Sequence, residues 1–216
     1  VSSIPAARRR PPSRSRAGYT LIEVMMALGV LSVGAVGLIA LQQATTRGNV
    51  QARAQTVAVT VARTWVERLR RDALRWNQQG LAGIRAVPNG PVYLRNVPDV
   101  QGVLGDWFAP VAPAGGPLES HGADWWGRDT ADPAQMRFCT HLRLRWASAE
   151  QTVRADVRTF YFRRGDATDV ESADFRLFPN CALGREGEVD AELARAVPRI
   201  RVVPVSLVLR WTPINP

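Results

Sequence analysis

The feature that most constrains this chain is a run of 23 uncharged, mostly apolar residues at positions 24–46. As an α-helix rising about 1.5 Å per residue, the run reaches roughly 35 Å, which is enough to cross a bilayer core of about 30 Å. Five arginines precede it, at positions 8, 9, 10, 14 and 16. Because the cytoplasmic flanks of membrane helices are rich in basic residues, the pattern predicts a single membrane pass with the N-terminus in the cytoplasm.

A cleavable secretory signal is the weaker interpretation of this segment. Such a signal ends in a small-residue cleavage site just after its apolar stretch. The nearest site of that kind, Ala52-Arg53-Ala54, lies beyond Arg47 and well past Leu41. We therefore expect the apolar run to remain in the chain as an anchor.

The net charge of +9 is unevenly distributed. Residues 1–18 carry five arginines and no acid, and residues 42–79 carry seven arginines against Glu67 and Asp72. From residue 80 onward, 16 arginines balance 16 acidic residues. Because nucleic-acid binding depends on excess positive charge, this neutral C-terminal part makes nucleic acid an unlikely partner.

A carboxylate stands at the head of the apolar run, in the stretch RAGYTLIEV at residues 16–24. A charged group near a bilayer is costly and is usually retained for a partner. The basic leader ending in Gly18, the aromatic Tyr19, then Thr-Leu-Ile-Glu23 and an apolar helix together resemble the N-terminus of the type IV pilin superfamily. The resemblance covers about residues 8–45, and residues 32–42 are most similar to the PilV group of minor pilins.

This resemblance implies roles for three residues. A prepilin peptidase would cut after Gly18 and methylate the new N-terminal amine of Tyr19. Glu23 would then neutralise the terminal amine of a neighbouring subunit in the apolar core of a filament. The alternative is that Glu23 only caps the helix start, where a carboxylate favours the positive end of the helix dipole.

The resemblance also indicates which kind of pilin this is and what it contacts. Major pilins usually carry a proline where this chain has Ala40, so the sequence fits minor pilins and pseudopilins better than a bulk filament subunit. The implied partners are other minor and major pilins, the prepilin peptidase, the inner-membrane pilus assembly machinery and inner-membrane lipid. The implied location is the inner membrane and then the pilus or cell surface.

The helix is expected to continue beyond the membrane to residue 79. One apolar stripe recurs at intervals of three and four, while arginines 53, 63, 68, 70, 71 and 75 occupy other faces. The stripe comprises Val50, Ala54, Val57, Val61, Trp65, Leu69, Ala73 and Trp76. The predicted organisation is a leader at 1–18, a membrane helix at 19–46, an amphipathic stalk helix at 47–79 and a β-rich periplasmic or extracellular head at 80–216.

The sequence of the head predicts a small antiparallel sheet, so the predicted fold class is α+β. Residues 136–146 alternate, with Phe138 and Leu142 on one face and Cys139 and His141 on the other. Residues 153–161 can return as a hairpin, residues 203–211 form a last strand with Pro204 at an edge, and residues 92–97 form a weaker strand. A polar loop at 119–133 holds Trp125 and Trp126, for which inward packing is the favoured interpretation.

Cys139 and Cys181 are the two cysteines of the chain. The expected topology places both outside the inner membrane, where disulfides form. We favour a bond between them over two free thiols.

Catalysis has little support in the sequence. There are two histidines, and no metal-ligand cluster, nucleophile motif or phosphate-binding loop, so we expect no enzyme, no metal and no cofactor. His121 and Asp124 are better interpreted as polar loop residues than as a catalytic pair. The favoured function is a PilV-like minor pilin that initiates, caps or modifies a type IV pilus; the alternatives are a type II secretion pseudopilin and a membrane-anchored adhesin or DNA-uptake pilin.

Overall fold

The structure, a computed structural model, describes residues 18–79, 90–100, 102–111, 119–148, 151–162, 178–196 and 199–212. A long helix, α1, is followed by a four-stranded antiparallel sheet in the order β1-β2-β3-β4, which confirms the α+β class. The elements are α1 (Leu21–Gln79), β1 (Gly122–Ala123), β2 (Phe138–Ser148), β3 (Thr152–Phe162), α2 (Glu186–Leu193) and β4 (Ile200–Arg210). Contacts divide the chain into two compact units, Val1–Arg47 and Gly48–Pro216.

In the second unit, the predicted apolar stripe of α1 packs on the sheet. Val61, Trp65, Leu69, Ala73 and Trp76 are all buried in one core cluster with side chains of β2, β3 and β4. The rings of Trp76 and Trp146 meet edge to face, with centroids 5.8 Å apart. Spacing of three and four residues places these side chains on one helix face, and the sheet supplies the apolar surface that buries them.

The alternation of β2 and β3 separates two faces of the sheet, as predicted. Phe138, Leu142 and Leu144 belong to the core shared with α1. The opposite face carries Cys139 and Phe160, which lie in a second buried cluster beside α2. The predicted hairpin between the two strands is formed, with Leu142 opposite Val157.

β4 lies at an edge of the sheet, where Pro204 was expected. Within the described part of the chain, β4 pairs with β3 alone. The Trp211 N–H donates to the Gln151 carbonyl oxygen at 2.7 Å, and hydrogen-bonded pairs recur at every second residue of an antiparallel ladder. Pro204 therefore falls at a position whose backbone nitrogen faces away from β3, where no ladder hydrogen bond is lost.

The weak strand predicted at residues 92–97 is wrong. This segment contains a short 3-10 helix, Leu94–Asn96, because a carboxylate from α1 takes its backbone donors. Asp72 accepts the N–H groups of Val92, Tyr93 and Leu94 at 2.6, 2.8 and 2.9 Å. Burial raises the pKa of Asp72, and these three donors oppose the change. Donors committed to a carboxylate cannot join a strand ladder.

Arg68, expected on a helix face other than the apolar stripe, is nevertheless buried. Arg68 is only 9% exposed, because the loop before β2 brings acceptors to it. Its guanidinium pairs with Asp129 and lies 3.8 Å from a carboxylate oxygen of Glu119. The guanidinium also stacks on Trp65, 4.4 Å from the ring centroid. A buried arginine is tolerated when it is paired in this way.

Candidate functional site

The start of α1 is capped by Thr20 rather than by the Glu23 side chain. The Glu23 N–H approaches Thr20 Oγ1 at 3.4 Å and donates to the Thr20 carbonyl oxygen at 3.1 Å. Thr20 and Glu23 have the spacing of a capping box, in which a hydroxyl satisfies the backbone donor three residues on. Glu23 is exposed, and among the described residues its carboxylate has no hydrogen-bond partner. The described residues therefore leave the charge of Glu23 unpaired.

The first five turns of α1 expose a continuous apolar surface. The large hydrophobic side chains from Leu21 to Leu41 are each between 45% and 80% exposed. Within the described residues, α1 is the one helix long and apolar enough to cross a membrane, with a mean hydropathy of 2.4 over its best window. Soluble proteins rarely leave apolar surface of this extent uncovered. The surface requires lipid or other subunits.

The glycines of this segment are not required by the fold of the chain itself. A Cβ added to Gly18 would meet no atom within 4 Å, and the same holds for Gly29, Gly34 and Gly37. Small residues on an exposed helix face allow another helix to approach closely. Packing among the described residues therefore gives no reason for glycine at position 18.

Comparison with known proteins identifies this segment. Residues 13–39 match the family model of the prokaryotic N-terminal methylation motif. The match contains Gly18, Tyr19 and Glu23 together with the first part of the exposed apolar helix. No curated protein and no solved structure matches the chain.

The matched motif marks the N-terminal segment as that of a type IV pilin-like prepilin, which indicates a structural role. The chain thus carries the N-terminus of a pilin or pseudopilin, which implies cleavage by a prepilin peptidase and assembly with other pilins. The motif and the exposed apolar helix together indicate a protein anchored in the inner membrane.

In the head, Cys139 and Cys181 are joined by a disulfide, with their Cα atoms 5.2 Å apart. Cys181 lies in an unusual backbone stretch, because Asn180, Cys181 and Ala182 have φ values of 51°, 57° and 57°. The left-handed region costs roughly 1–2 kcal/mol for a residue with a Cβ, although asparagine tolerates it better than most. The disulfide therefore ties β2 to a strained turn.

Both histidines of the chain bind carbonyl groups of this turn. His121 Nε2 lies 3.2 Å from the Asn180 oxygen, and His141 Nε2 lies 2.8 Å from the Cys181 oxygen. On its other side, His141 Nδ1 lies 3.1 Å from the Arg158 guanidinium. A guanidinium only donates and a carbonyl only accepts, so His141 is neutral with its proton on Nε2. The pKa of His141 is lowered to about 4, chiefly by burial and also by the Arg158 cation, while the Cys181 hydrogen bond opposes the change.

His121 and Asp124 bind different partners. His121 faces the strained turn, whereas Asp124 closes a turn at residues 124–128. In the part of the chain that the structure describes, no group of three His, Cys, Asp or Glu side chains is placed to hold a metal ion.

The expectation of inward packing is wrong for Trp126, which is 64% exposed. The Arg53 guanidinium of α1 lies 4.6 Å from the Trp126 ring centroid and 6.0 Å from that of Trp125. The polar composition of residues 119–133 predicts a loop, but it does not show which side of the loop faces the core.

A cleft of about 690 Å³ lies between the loop at residues 104–107 and the start of α2. Trp107 stands beside two guanidinium groups there, 4.4 Å from Arg143 and 4.1 Å from Arg158. Arg158 is buried, pairs with Asp190, and donates to the Glu186 carbonyl at 2.8 Å. Sequence reasoning missed this network, although the hairpin pairing of His141 with Arg158 is a signal that could have found it.

Proposed function

We propose that this protein is a PilV-like minor pilin that is cut between Gly18 and Tyr19 and assembles with other pilins to initiate, cap or modify a type IV pilus. The observation that carries the proposal is the match of residues 13–39 to the methylation motif, directly at the start of an exposed apolar helix. The alanine at position 40, where major pilins usually have proline, favours a minor subunit.

In this proposal Glu23 pairs with the N-terminal amine of an adjacent subunit. The Glu23 carboxylate makes no capping hydrogen bond within the described residues, which leaves it open to a partner outside them. Methylation leaves the amine of Tyr19 basic, and an unpaired cation in an apolar filament core costs several kcal/mol. An exposed carboxylate four positions after the new N-terminus is a suitable counter-charge.

The proposed organisation is a leader at residues 1–18, a membrane helix at 19–46, a stalk helix at 47–79 and a head at 80–216. The N-terminus lies in the cytoplasm and the head in the periplasm, and the subunit then moves to the pilus or cell surface. The disulfide between Cys139 and Cys181 supports an extracytoplasmic head, since such bonds persist in oxidising compartments.

The first experiment is mass spectrometry of the mature N-terminus. We expect Tyr19 carrying a methyl group as the first residue. Gly18→Glu should leave the precursor uncut, because the side chain would meet the peptidase although it meets nothing in this chain. Gly29→Ala, which also adds a side chain at an open glycine, is the matched control and should be processed normally.

The outcome that contradicts the proposal is a mature chain beginning at Gln55, which would indicate an ordinary secretory cleavage after Ala54. Processing alone does not distinguish a pilus subunit from a type II secretion pseudopilin, because both share this N-terminus. Sheared pili and type II secretion filaments from the same cells are therefore blotted separately. Recovery in secretion filaments alone would replace the pilus with the pseudopilin alternative.

A further inference from the structure

Trp126 is an exposed tryptophan held on a rigid turn. The Asp124 carboxylate accepts the backbone N–H groups of Trp126 and Arg128 at 2.8 and 2.9 Å. It also accepts the Arg128 side-chain Nε at 2.9 Å, and the Asp124 carbonyl accepts the Gly127 N–H at 3.0 Å. A turn held in this way orders the backbone at Trp126 before binding, so little backbone entropy is lost when the side chain binds.

The same turn is fitted closely against α1. Gly127 has a φ of +80°, and a Cβ at this position would come within 3.1 Å of Val57 and 3.4 Å of Val61. Glycine is required both by the backbone conformation and by this close approach. The exposure of Trp126 therefore does not result from a loosely packed loop.

Arg53 completes this surface. Its guanidinium lies 4.6 Å from the Trp126 ring centroid, which is within the range of a cation–π contact. Arg53 is exposed, and no ion pair to a carboxylate joins it within the described residues. An aromatic ring with an adjacent free guanidinium presents an apolar face and a positive charge side by side.

The position of Arg53 in the chain brings this surface near the bilayer. Arg53 follows residue 46, the last of the charge-free run, by seven residues. Seven residues span about 10 Å as a helix and at most about 25 Å when extended. The covalent chain thus limits the distance of Arg53 from the end of the charge-free run to about 25 Å.

We propose that Trp126 and Arg53 form a docking surface for the phospholipid headgroup region of the membrane in which α1 is anchored. Tryptophan is enriched at this depth because its ring is apolar and its indole N–H needs a polar partner. The Arg53 charge is complementary to lipid phosphate, and anionic headgroups strengthen such contacts. The proposal rests on the proposed membrane anchoring of the chain.

The test uses the full chain in vesicles of phosphatidylcholine and phosphatidylglycerol that contain a headgroup spin-labelled lipid. Subtracting the tryptophan emission of Trp126→Phe from that of the wild type isolates this residue among the seven tryptophans. We expect this difference emission to be quenched by the labelled lipid and to lie at shorter wavelength than in detergent. Arg53→Gln should weaken the quenching, most in vesicles rich in phosphatidylglycerol.

Val208→Trp is the matched control, because Val208 is exposed at the other end of the head. Val208 lies four residues before Thr212, whose backbone N–H donates to Asn77. Asn77 is 24 residues beyond Arg53 on α1, which is about 36 Å along the helix. The emission added by this variant should not be quenched.

Flotation of the vesicles reports membrane insertion separately from docking. Insertion without any quenching of Trp126 would overturn the docking surface and leave the proposed anchoring intact. Failure of the full chain to float would instead contradict the anchoring. Shielding of Trp126 only when another pilin is reconstituted with the chain would also overturn the proposal, by identifying a protein partner in place of lipid.

Discussion

Acidification should destabilise the head through His141. In the folded chain the imidazole is neutral, because Nδ1 accepts from Arg158 and Nε2 donates to the Cys181 carbonyl. Folding lowers the pKa of His141 from an ordinary value of 6.5 to about 4, so below pH 6.5 the unfolded chain takes up a proton that the folded chain does not. The stabilisation from His141 is complete above pH 6.5 and is lost as the pH falls toward about 4.

The size of this effect follows from the two pKa values. Each unit of difference corresponds to about 1.4 kcal/mol, so the free energy of unfolding should fall by about 3 kcal/mol between pH 6.5 and 4 from this residue alone. The charged groups near the imidazole are Arg158, His121 and Glu186. Protonation would place a second cation beside Arg158 and remove an acceptor of its guanidinium.

The assay is urea unfolding of the full chain in detergent at a series of pH values, followed by tryptophan fluorescence. His141→Gln keeps an amide donor toward the Cys181 carbonyl but does not titrate, so its unfolding free energy should decline less on acidification than that of the wild type. Carboxylates that do not interact with His141 titrate alike in both proteins and cancel in the difference. His121→Gln is the control for the other histidine, whose pKa is also lowered by burial. Identical pH dependence of the wild type and His141→Gln would refute the reasoning.

Three further predictions concern charge pairing, a buried carboxylate and the disulfide. Glu23→Gln should insert and be cut normally but be absent from sheared filaments, because the partner amine loses its counter-charge in an apolar core; blots of the membrane and sheared fractions measure this. Asp72→Asn should lower the unfolding free energy by about 3 kcal/mol in urea titrations, since an amide cannot accept all three backbone donors that the carboxylate holds. Replacing Cys139 and Cys181 with serine should lower the unfolding free energy by about 4 kcal/mol in the chain-entropy model for this loop, and non-reducing digestion of the wild type should release one peptide pair.

Each of these predictions has its own control. Glu23→Asp keeps the charge and should retain at least part of the filament incorporation, whereas normal incorporation of Glu23→Gln would leave no role for the carboxylate in assembly. Asp106→Asn changes an exposed carboxylate and should alter stability by less than about 0.5 kcal/mol. Labelling of both cysteines as free thiols in native surface material would contradict the disulfide.

Much of the fold could be predicted because the relevant signals are local. The helix is predicted at residues 19–79 and is observed at Leu21–Gln79. The charge-free run indicates its first half, and the apolar stripe with a spacing of three and four indicates its second half. The hairpin of β2 and β3 was visible because alternation with a period of two determines which side chains share a face. The edge position of Pro204 could be predicted because proline has no backbone N–H to donate to a neighbouring strand.

The failures all depend on contacts between residues far apart in the sequence. The segment at residues 92–97 has strand-like composition, but Asp72, twenty residues earlier, takes its backbone donors. The local sequence places Arg68 on a helix face outside the apolar stripe. Its burial depends on Asp129, which comes from a loop 61 residues later. The exposure of Trp126 depends on the fit of Gly127 against Val57. No local pattern contains this information.

The difference between local signals and contacts of distant residues also explains why the sequence indicates the function of the N-terminus more clearly than that of the head. Within the described residues, the segment around Gly18 and Glu23 leaves its apolar surface and its charge without a partner, so its sequence is suited to contacts with other molecules. In the second unit, polar groups such as Asp72 and Arg158 are satisfied by contacts inside the chain, which many different sequences can provide. A methylation motif is therefore recognisable over residues 13–39. The particular role of the head has to be inferred from side chains that its own contacts leave exposed, and Trp126 beside Arg53 is the clearest example.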